Sequence, residues 1–324
     1  MTRIRAGRRP VLPTLETLQS REVPLADPGS RAPLGSSGPA GRELRSQSVD
    51  LYGTAYGNFA AQALQQVRLE TYGEDFGQSS WVTGAEYRRF CRLLQLRATD
   101  HVLDVGCGSG GPALFLAREV GCRVMGVDIN EAGIRTGLAL AREASAQDRA
   151  EFRYADVRQP LPFPDQAFDA IVCLDVMCHL PDRGRLFGEW LRVLRPGGRA
   201  LYTDPVVVTG LVSGEEFATR SSTGYFEFAP PGVNERLLRE AGFELVLSDD
   251  VTDNEVEVSR RWHAARQRRA AELARLEGEE TFAGLQRFLA TVHRLTRERR
   301  MSRALYLARK PGEESRTEGA GSPR

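Results

Sequence analysis

The chain has 324 residues, a formal net charge of +1, 41% apolar and 27% charged residues, and five scattered cysteines with no C-x-x-C pair. That size fits one folded domain, or one domain with a smaller cap, in a reducing compartment, and no metal is expected. The near-neutral charge gives no footprint for nucleic acid or an anionic membrane, no apolar run approaches the roughly 18 residues of a membrane span, and a cytoplasmic location is expected.

Residues 1–48, opening "MTRIRAGRRP", are rich in Pro, Gly, Ser and Arg without hydrophobic periodicity. No apolar stretch follows the basic start, so a disordered leader is expected in place of a secretory signal. A folded domain is expected over 49–311 and a disordered tail over 312–324. Thr83 and Glu86 have the spacing of a capping box, and Tyr87, Phe90, Cys91 and Leu94 then share a helix face. A strand "HVLDVG" leads through a glycine-rich turn to a helix "GPALFLAREVG", a strand "RVMGVD", a helix "EAGIRTGLALAREA" and a strand "AEFRYAD". A strand "FDAIVCLD", a helix "RGRLFGEWLRVLRPGG" stopped by Pro196-Gly197-Gly198, and a strand "RALYTDP" complete the alternation.

Strands alternating with helices in this way predict an α/β fold with a parallel, doubly wound sheet. After Asp204 a linker of about 25 residues precedes the helix "GVNERLLREAGF" and the strand "FELVLSDD". Two long amphipathic helices are predicted over roughly 254–299, and a last strand "SRALYLAR" closes the fold. Insertions over about 205–232 and 250–300 would form a helical lid at the carboxyl end of the sheet, where ligands of such folds bind. The arginines of the second insertion are interleaved with acids and few aromatics, so a solvated helix face is expected there, not an RNA surface.

The turn "VLDVGCGSGGP" carries the chemistry. A phosphate loop needs a G-K-[ST] ending, and Lys310 is the only lysine of the chain. A dinucleotide turn reads G-x-G-x-x-G, whereas Gly106, Gly108, Gly110 and Gly111 read G-x-G-x-G-G, with Asp104 two residues ahead. A carboxylate at that place repels pyrophosphate and welcomes an ammonium or a sulfonium. S-adenosylmethionine has both cations and no phosphate. Asp128 and Asp156 end the next two strands, placed to take ribose hydroxyls and an adenine amino group. With "GVD", "LPFPDQAFDAIVCLDVMCHL" and "LRVLRPGGRALYTDP", these motifs make the chain resemble a class I S-adenosylmethionine-dependent methyltransferase of the small-molecule branch, similar to the phosphoethanolamine and sarcosine/dimethylglycine enzymes.

That resemblance implies a seven-stranded Rossmann-like sheet and S-adenosylmethionine as cofactor. It puts Asp104, Gly106 and Gly108 at the methionine end, Asp128 and Ile129 at the ribose, and Asp156 and Val157 at the adenine. It adds Gln78, Ser79 and Asp175 as cofactor contacts, with Trp81 nearby on the acceptor side. Asp175 and His179 match the D-x-x-x-H of phosphoethanolamine methyltransferases, which makes His179 a candidate base, and Asp204, at the end of the next strand, a candidate to orient its imidazole. An N-terminal tyrosine of the site would be Tyr56 or Tyr72. Arg220 and Tyr225 fall where the phosphobase enzymes hold an anionic group. The expected reaction is methyl transfer to nitrogen or oxygen of a small molecule. A C-methyltransferase of a lipid, quinone or specialised-metabolite pathway and a noncatalytic cofactor-binding relative stay open.

Overall fold

A computed structural model describes residues 49–312. The leader expected over 1–48 and nearly all of the tail lie outside the described residues. Two short helices come first, α1 (Leu51–Gly57) and α2 (Gln62–Tyr72), followed by α3 (Gly84–Leu94). The Thr83 hydroxyl caps α3 by accepting from the Glu86 N–H, but Glu86 does not return the bond that a capping box requires. Its carboxylate instead accepts from Arg303 at 2.8 and 2.9 Å and from Asn254.

The alternation then runs β1 (His101–Val105), α4 (Gly111–Glu119), β2 (Arg123–Asp128), α5 (Glu131–Glu143), β3 (Ala150–Tyr154) and β4 (Phe168–Leu174). A 3₁₀ turn at Met177–His179 leads to α6 (Arg183–Val193) and β5 (Leu194–Val208). The helix stops before Pro196, because Leu194 is already extended and pairs with Phe168 in the sheet. The segment expected to be a linker contains α7 (Gly214–Arg220), closed by a capping box between Ser213 and Glu216. It is followed by α8 (Val233–Glu240) and β6 (Glu244–Asp250). Three lid helices replace the expected two: α9 (Thr252–Arg268), α10 (Ala270–Glu277) and α11 (Glu279–Arg297). Breaks at Arg269 and Gly278 divide them, and β7 (Met301–Arg309) ends the fold.

The sheet has seven strands in the order β3-β2-β1-β4-β5-β7-β6, doubly wound as expected. β1 to β5 are parallel, but β7 runs antiparallel to both neighbours, so the sheet is mixed. The reason is where the lid is inserted: the chain leaves β6 at the carboxyl edge, builds α9 to α11 there, and can only return downward. Side chains alternate across each strand. Leu103 and Val105 join one core with Phe187 and Trp190, while Val102 joins the other with Phe90, Phe115 and Leu116. The lid has its own core, in which Val67, Trp81, Trp262, Leu285 and Phe288 meet. The order of β1 and β4 about their shared edge reverses the winding there, and the glycine turn opens at that switch point. None of the described helices is long and apolar enough to cross a membrane.

Candidate functional site

The turn after β1 is shaped by close approaches. Gly106 has φ 75°, and a Cβ there would lie 2.5 Å from the Val176 side chain. Gly108 has φ 55° and faces the Tyr56 ring, whose Cζ would lie 2.9 Å from an added Cβ. Both positions therefore need glycine for backbone conformation and for space. The turn is held to β2 by Gly106 and Cys107 N–H groups donating to the Val127 carbonyl, and by the Gly108 N–H donating to Asp128 at 2.8 Å.

Two adjoining cavities flank it. One, of about 60 Å³, is lined by Ser79, Trp81, Asp104, Gly108, Arg220 and Phe288. The other, of about 350 Å³, is lined by Asp128, Ile129, Asp156, Val157 and Tyr225. They share Tyr52, Tyr56, Gly106, Val176 and His179 as walls, so most of the expected residues, though not Tyr72, Gln78 or Asp204, surround one cleft. A larger groove of about 840 Å³ lies between α2, α4 and α5 and contains none of the candidate site residues.

Asp104 is 2% exposed, and its Oδ2 is buried without a hydrogen-bond partner among the described residues. Burial, and secondarily the charge of Asp128, push its carboxyl up to about 7. An orphaned acid at the bottom of a cleft calls for a cationic or hydrogen-donating ligand. Asp128 is raised by burial as well, although it already accepts from Gly108 and Asn130 N–H groups. Asp156 is held below its ordinary value by Arg158, which clasps it at 2.8 and 2.9 Å. The acceptor set fits a phosphate-free cationic nucleoside, with acids at three strand ends and apolar Ile129 and Val157 beside two of them.

His179 occupies the wall between the cavities, and both ring nitrogens are engaged. Nδ1 lies 2.9 Å from the Tyr225 carbonyl, and Nε2 lies 2.8 Å from Oη of Tyr52. A carbonyl only accepts, so the proton is on Nδ1, and the Nε2 lone pair accepts from the Tyr52 hydroxyl. Burial lowers the imidazole to about 4, which keeps it neutral near pH 7. Tyr52 itself is raised by burial and stays protonated. Asp204 plays no part in orienting the ring. It is 0% exposed and bonded to Arg183 at 2.5 Å and to Asn234 at 2.8 Å, a lock between β5, α6 and α8.

Three other expectations change. Both ends of the Gln78 amide are spent within its own loop, on the Phe76 N–H and the Glu74 carbonyl. Tyr72 donates to the Ser80 carbonyl at 2.9 Å and lines neither cavity of the cleft, so the N-terminal tyrosines of the site are Tyr52 and Tyr56. Their i, i+4 spacing on α1 is the signal that would have found Tyr52. Asp175 touches the cleft, yet its carboxylate accepts from the Trp81 N–H, Thr203 and Arg303, which makes it a clamp between the sheet and the loop that carries Trp81.

Arg220 is 1% exposed and lies between the rings of Phe226 and Phe288, 4.6 and 5.1 Å from their centroids. Behind it, at 4.0 Å, is Glu255, an acid the sequence reading did not single out. Burial pushes Glu255 up to about 8, and neither of its oxygens has a hydrogen-bond partner among the described residues. Arg220 thus meets an acid before it meets any ligand. Tyr225 is 55% exposed at the mouth of the larger cavity and serves His179 through its backbone carbonyl.

Residues 103–202 match the family described as a methyltransferase domain. The chain is 36% identical over 167 residues to 27-O-demethylrifamycin SV methyltransferase of Amycolatopsis mediterranei, a match covering 51% of this chain and 61% of that one. It is 33% identical over 184 residues to phosphoethanolamine N-methyltransferase 1 of Zea mays, covering 56% of this chain and 36% of that one. The match thus spans less than two thirds of the length of these curated relatives. Among solved structures, phosphoethanolamine N-methyltransferase 2 of Haemonchus contortus, in complex with phosphomonomethylethanolamine and S-adenosylhomocysteine, shares the fold with a TM-score of 0.67 at 19% identity. That match covers 81% of this chain and 61% of that one.

Proposed function

We infer, from residues 103–202 belonging to the methyltransferase domain family, that the chain binds S-adenosylmethionine in the cleft and methylates a nitrogen or oxygen of a small molecule. The observation that carries this reading is Asp104: a buried, unpartnered carboxylate two residues before the glycine turn suits an ammonium and rejects a phosphate. Asp104 with Gly106 and Gly108 would hold the methionine end, Asp128 the ribose hydroxyls, and Ile129, Val157 and Asp156 the adenine. The related Amycolatopsis and Zea enzymes are by name an O- and an N-methyltransferase, in keeping with a nucleophilic heteroatom acceptor.

Bound S-adenosylmethionine supplies an electrophilic methyl on sulfur, which is displaced in line. The protein's share is to align the acceptor, exclude water and take one proton. An imidazole near 4 is a weak base for a free alcohol or amine. It is adequate for an oxygen acceptor once that oxygen bonds to carbon, because the oxonium proton is then strongly acidic; a methylated amine keeps its proton as an alkylammonium and asks nothing of the imidazole. A hydroxyl acceptor passes its proton to Tyr52 while Tyr52 hands its own to Nε2 of His179, with Nδ1 fixed by the Tyr225 carbonyl. Trp81, Phe226 and Phe288 give this end an aromatic wall. Calorimetry with S-adenosylmethionine and S-adenosylhomocysteine tests the first step, and absence of binding to both would sink the reading. A mass-spectrometric screen of amine, phenol, sugar and carbon acceptors with labelled cofactor tests the second.

A further inference from the structure

The fourth glycine of the turn is not explained by the cleft. Gly111 begins α4 and lines neither cavity of the site. A Cβ on it would lie 2.6 and 2.7 Å from the Gly77 carbonyl carbon and oxygen, and would collide with the Phe76 carbonyl oxygen as well. Those atoms belong to a strap, residues 74–81, whose far end carries Ser79, Ser80 and Trp81 into the cleft wall. Next to Gly111, the Ser109 hydroxyl donates to the Gly77 carbonyl at 2.8 Å, and Ser109 is 2% exposed.

The strap has its own internal bracing. Asp75 accepts from the Gly77 N–H at 2.9 Å and from Arg68 at 3.0 Å, and Gln78 ties Phe76 to Glu74. The Phe76 ring packs 4.9 Å from Phe115 of α4. At the other end the Trp81 N–H donates to Asp175 at 2.8 Å, and its carbonyl accepts from Asn254 of the lid. The strap is therefore a bridge with one foot on the glycine turn and the other on the sheet and lid. Gly77 is joined to Ser79 through Gln78 alone, and the Tyr72 hydroxyl holds the next carbonyl, that of Ser80, so a displacement at Gly77 bears directly on the cleft end of the strap.

We propose that Ser109 and Gly111 are positioning residues, which dock the 74–81 strap onto the cofactor turn so that Ser79, Ser80 and Trp81 close the methionine side of the cleft. The turn is then two devices in one motif: Gly106 and Gly108 approach the ligand, while Ser109 and Gly111 receive the strap. This rests on the cofactor reading above, but the docking itself is measurable without any ligand.

The test compares Gly111→Ala, Ser109→Ala and, as a control, Gly188→Ala, where an added Cβ meets nothing within 4 Å. Amide exchange of residues 76–82 in the ligand-free protein is expected to quicken about 10-fold in Gly111→Ala and a few-fold in Ser109→Ala, with no change in the control. For S-adenosylhomocysteine, stopped-flow dissociation is expected to rise by similar factors while the association rate is unchanged, which a general loss of stability would not produce. Unchanged strap exchange in Ser109→Ala, or in a folded Gly111→Ala, overturns the proposal whether or not ligand binds. Quickened exchange in a protein whose wild type binds no S-adenosylhomocysteine would support the docking and refute the cofactor reading instead.

Discussion

Replacing Asp104 by Asn should move stability and ligand affinity in opposite directions. In the ligand-free chain the carboxyl is raised from 3.8 to about 7, chiefly because burial removes its water. Between those two values the folded state holds a proton that the unfolded state has lost, so stability falls as pH rises from 3.8 to 7 and stays reduced above 7. At about 1.36 kcal/mol per unit, the ceiling on that loss is ~4 kcal/mol. A carboxylate lining a cavity regains some water, so ~1–2 kcal/mol is the expected share. Asn has the same shape without the charge. Asp104→Asn should therefore unfold at higher urea than the wild type at pH 8, with the margin cut to roughly a third at pH 5. The same change removes the anion opposite the ligand's ammonium, so calorimetric affinity for S-adenosylhomocysteine should fall about 10- to 100-fold, the loss of a buried charge-assisted contact. A variant less stable than the wild type at pH 8, or one that binds with undiminished affinity, would refute the assignment of Asp104 as an unspent acid awaiting a cation.

Tyr52→Phe removes the donor to His179, and kcat is expected to drop about 10- to 100-fold with S-adenosylhomocysteine affinity unchanged. An unaltered kcat would exclude the tyrosine from proton transfer. The acid limb of kcat should appear only as His179 protonates near pH 4; a limb at 6.5 would mean that the imidazole is not desolvated as described. Glu255 is raised from 4.5 to about 8, so the wild type should lose stability as pH climbs through that interval. Glu255→Gln should flatten this slope and melt higher than the wild type at pH 9, and a lower melting temperature there would contradict it. Leu103, 0% exposed in the core beneath the turn, should lose about 2–5 kcal/mol on truncation to Ala, measured by urea unfolding.

Local chemistry made much of this protein legible in one dimension. The βα alternation, the glycine turn, and acids at the ends of three successive strands follow from periodicity and turn propensity, properties of neighbours in the chain. Asp104, Asp128, Asp156 and His179 all reach the cleft because each sits at the carboxyl end of, or just after, a parallel strand, and parallel strands bring those ends together. What depends on distant segments could not be read that way. The reversal of β7 is set by where a lid is inserted. The partner of His179 is Tyr52, 127 residues earlier, and not Asp204, which arginine and asparagine from α6 and α8 had already claimed. Glu255 looks like any lid acid until α9 turns it inward against Arg220. Sequence specified which groups are reactive, because that is intrinsic to residue type and local spacing. Tertiary structure decided which of them are left unpaired, because pairing and desolvation depend on what packing brings within a few ångströms.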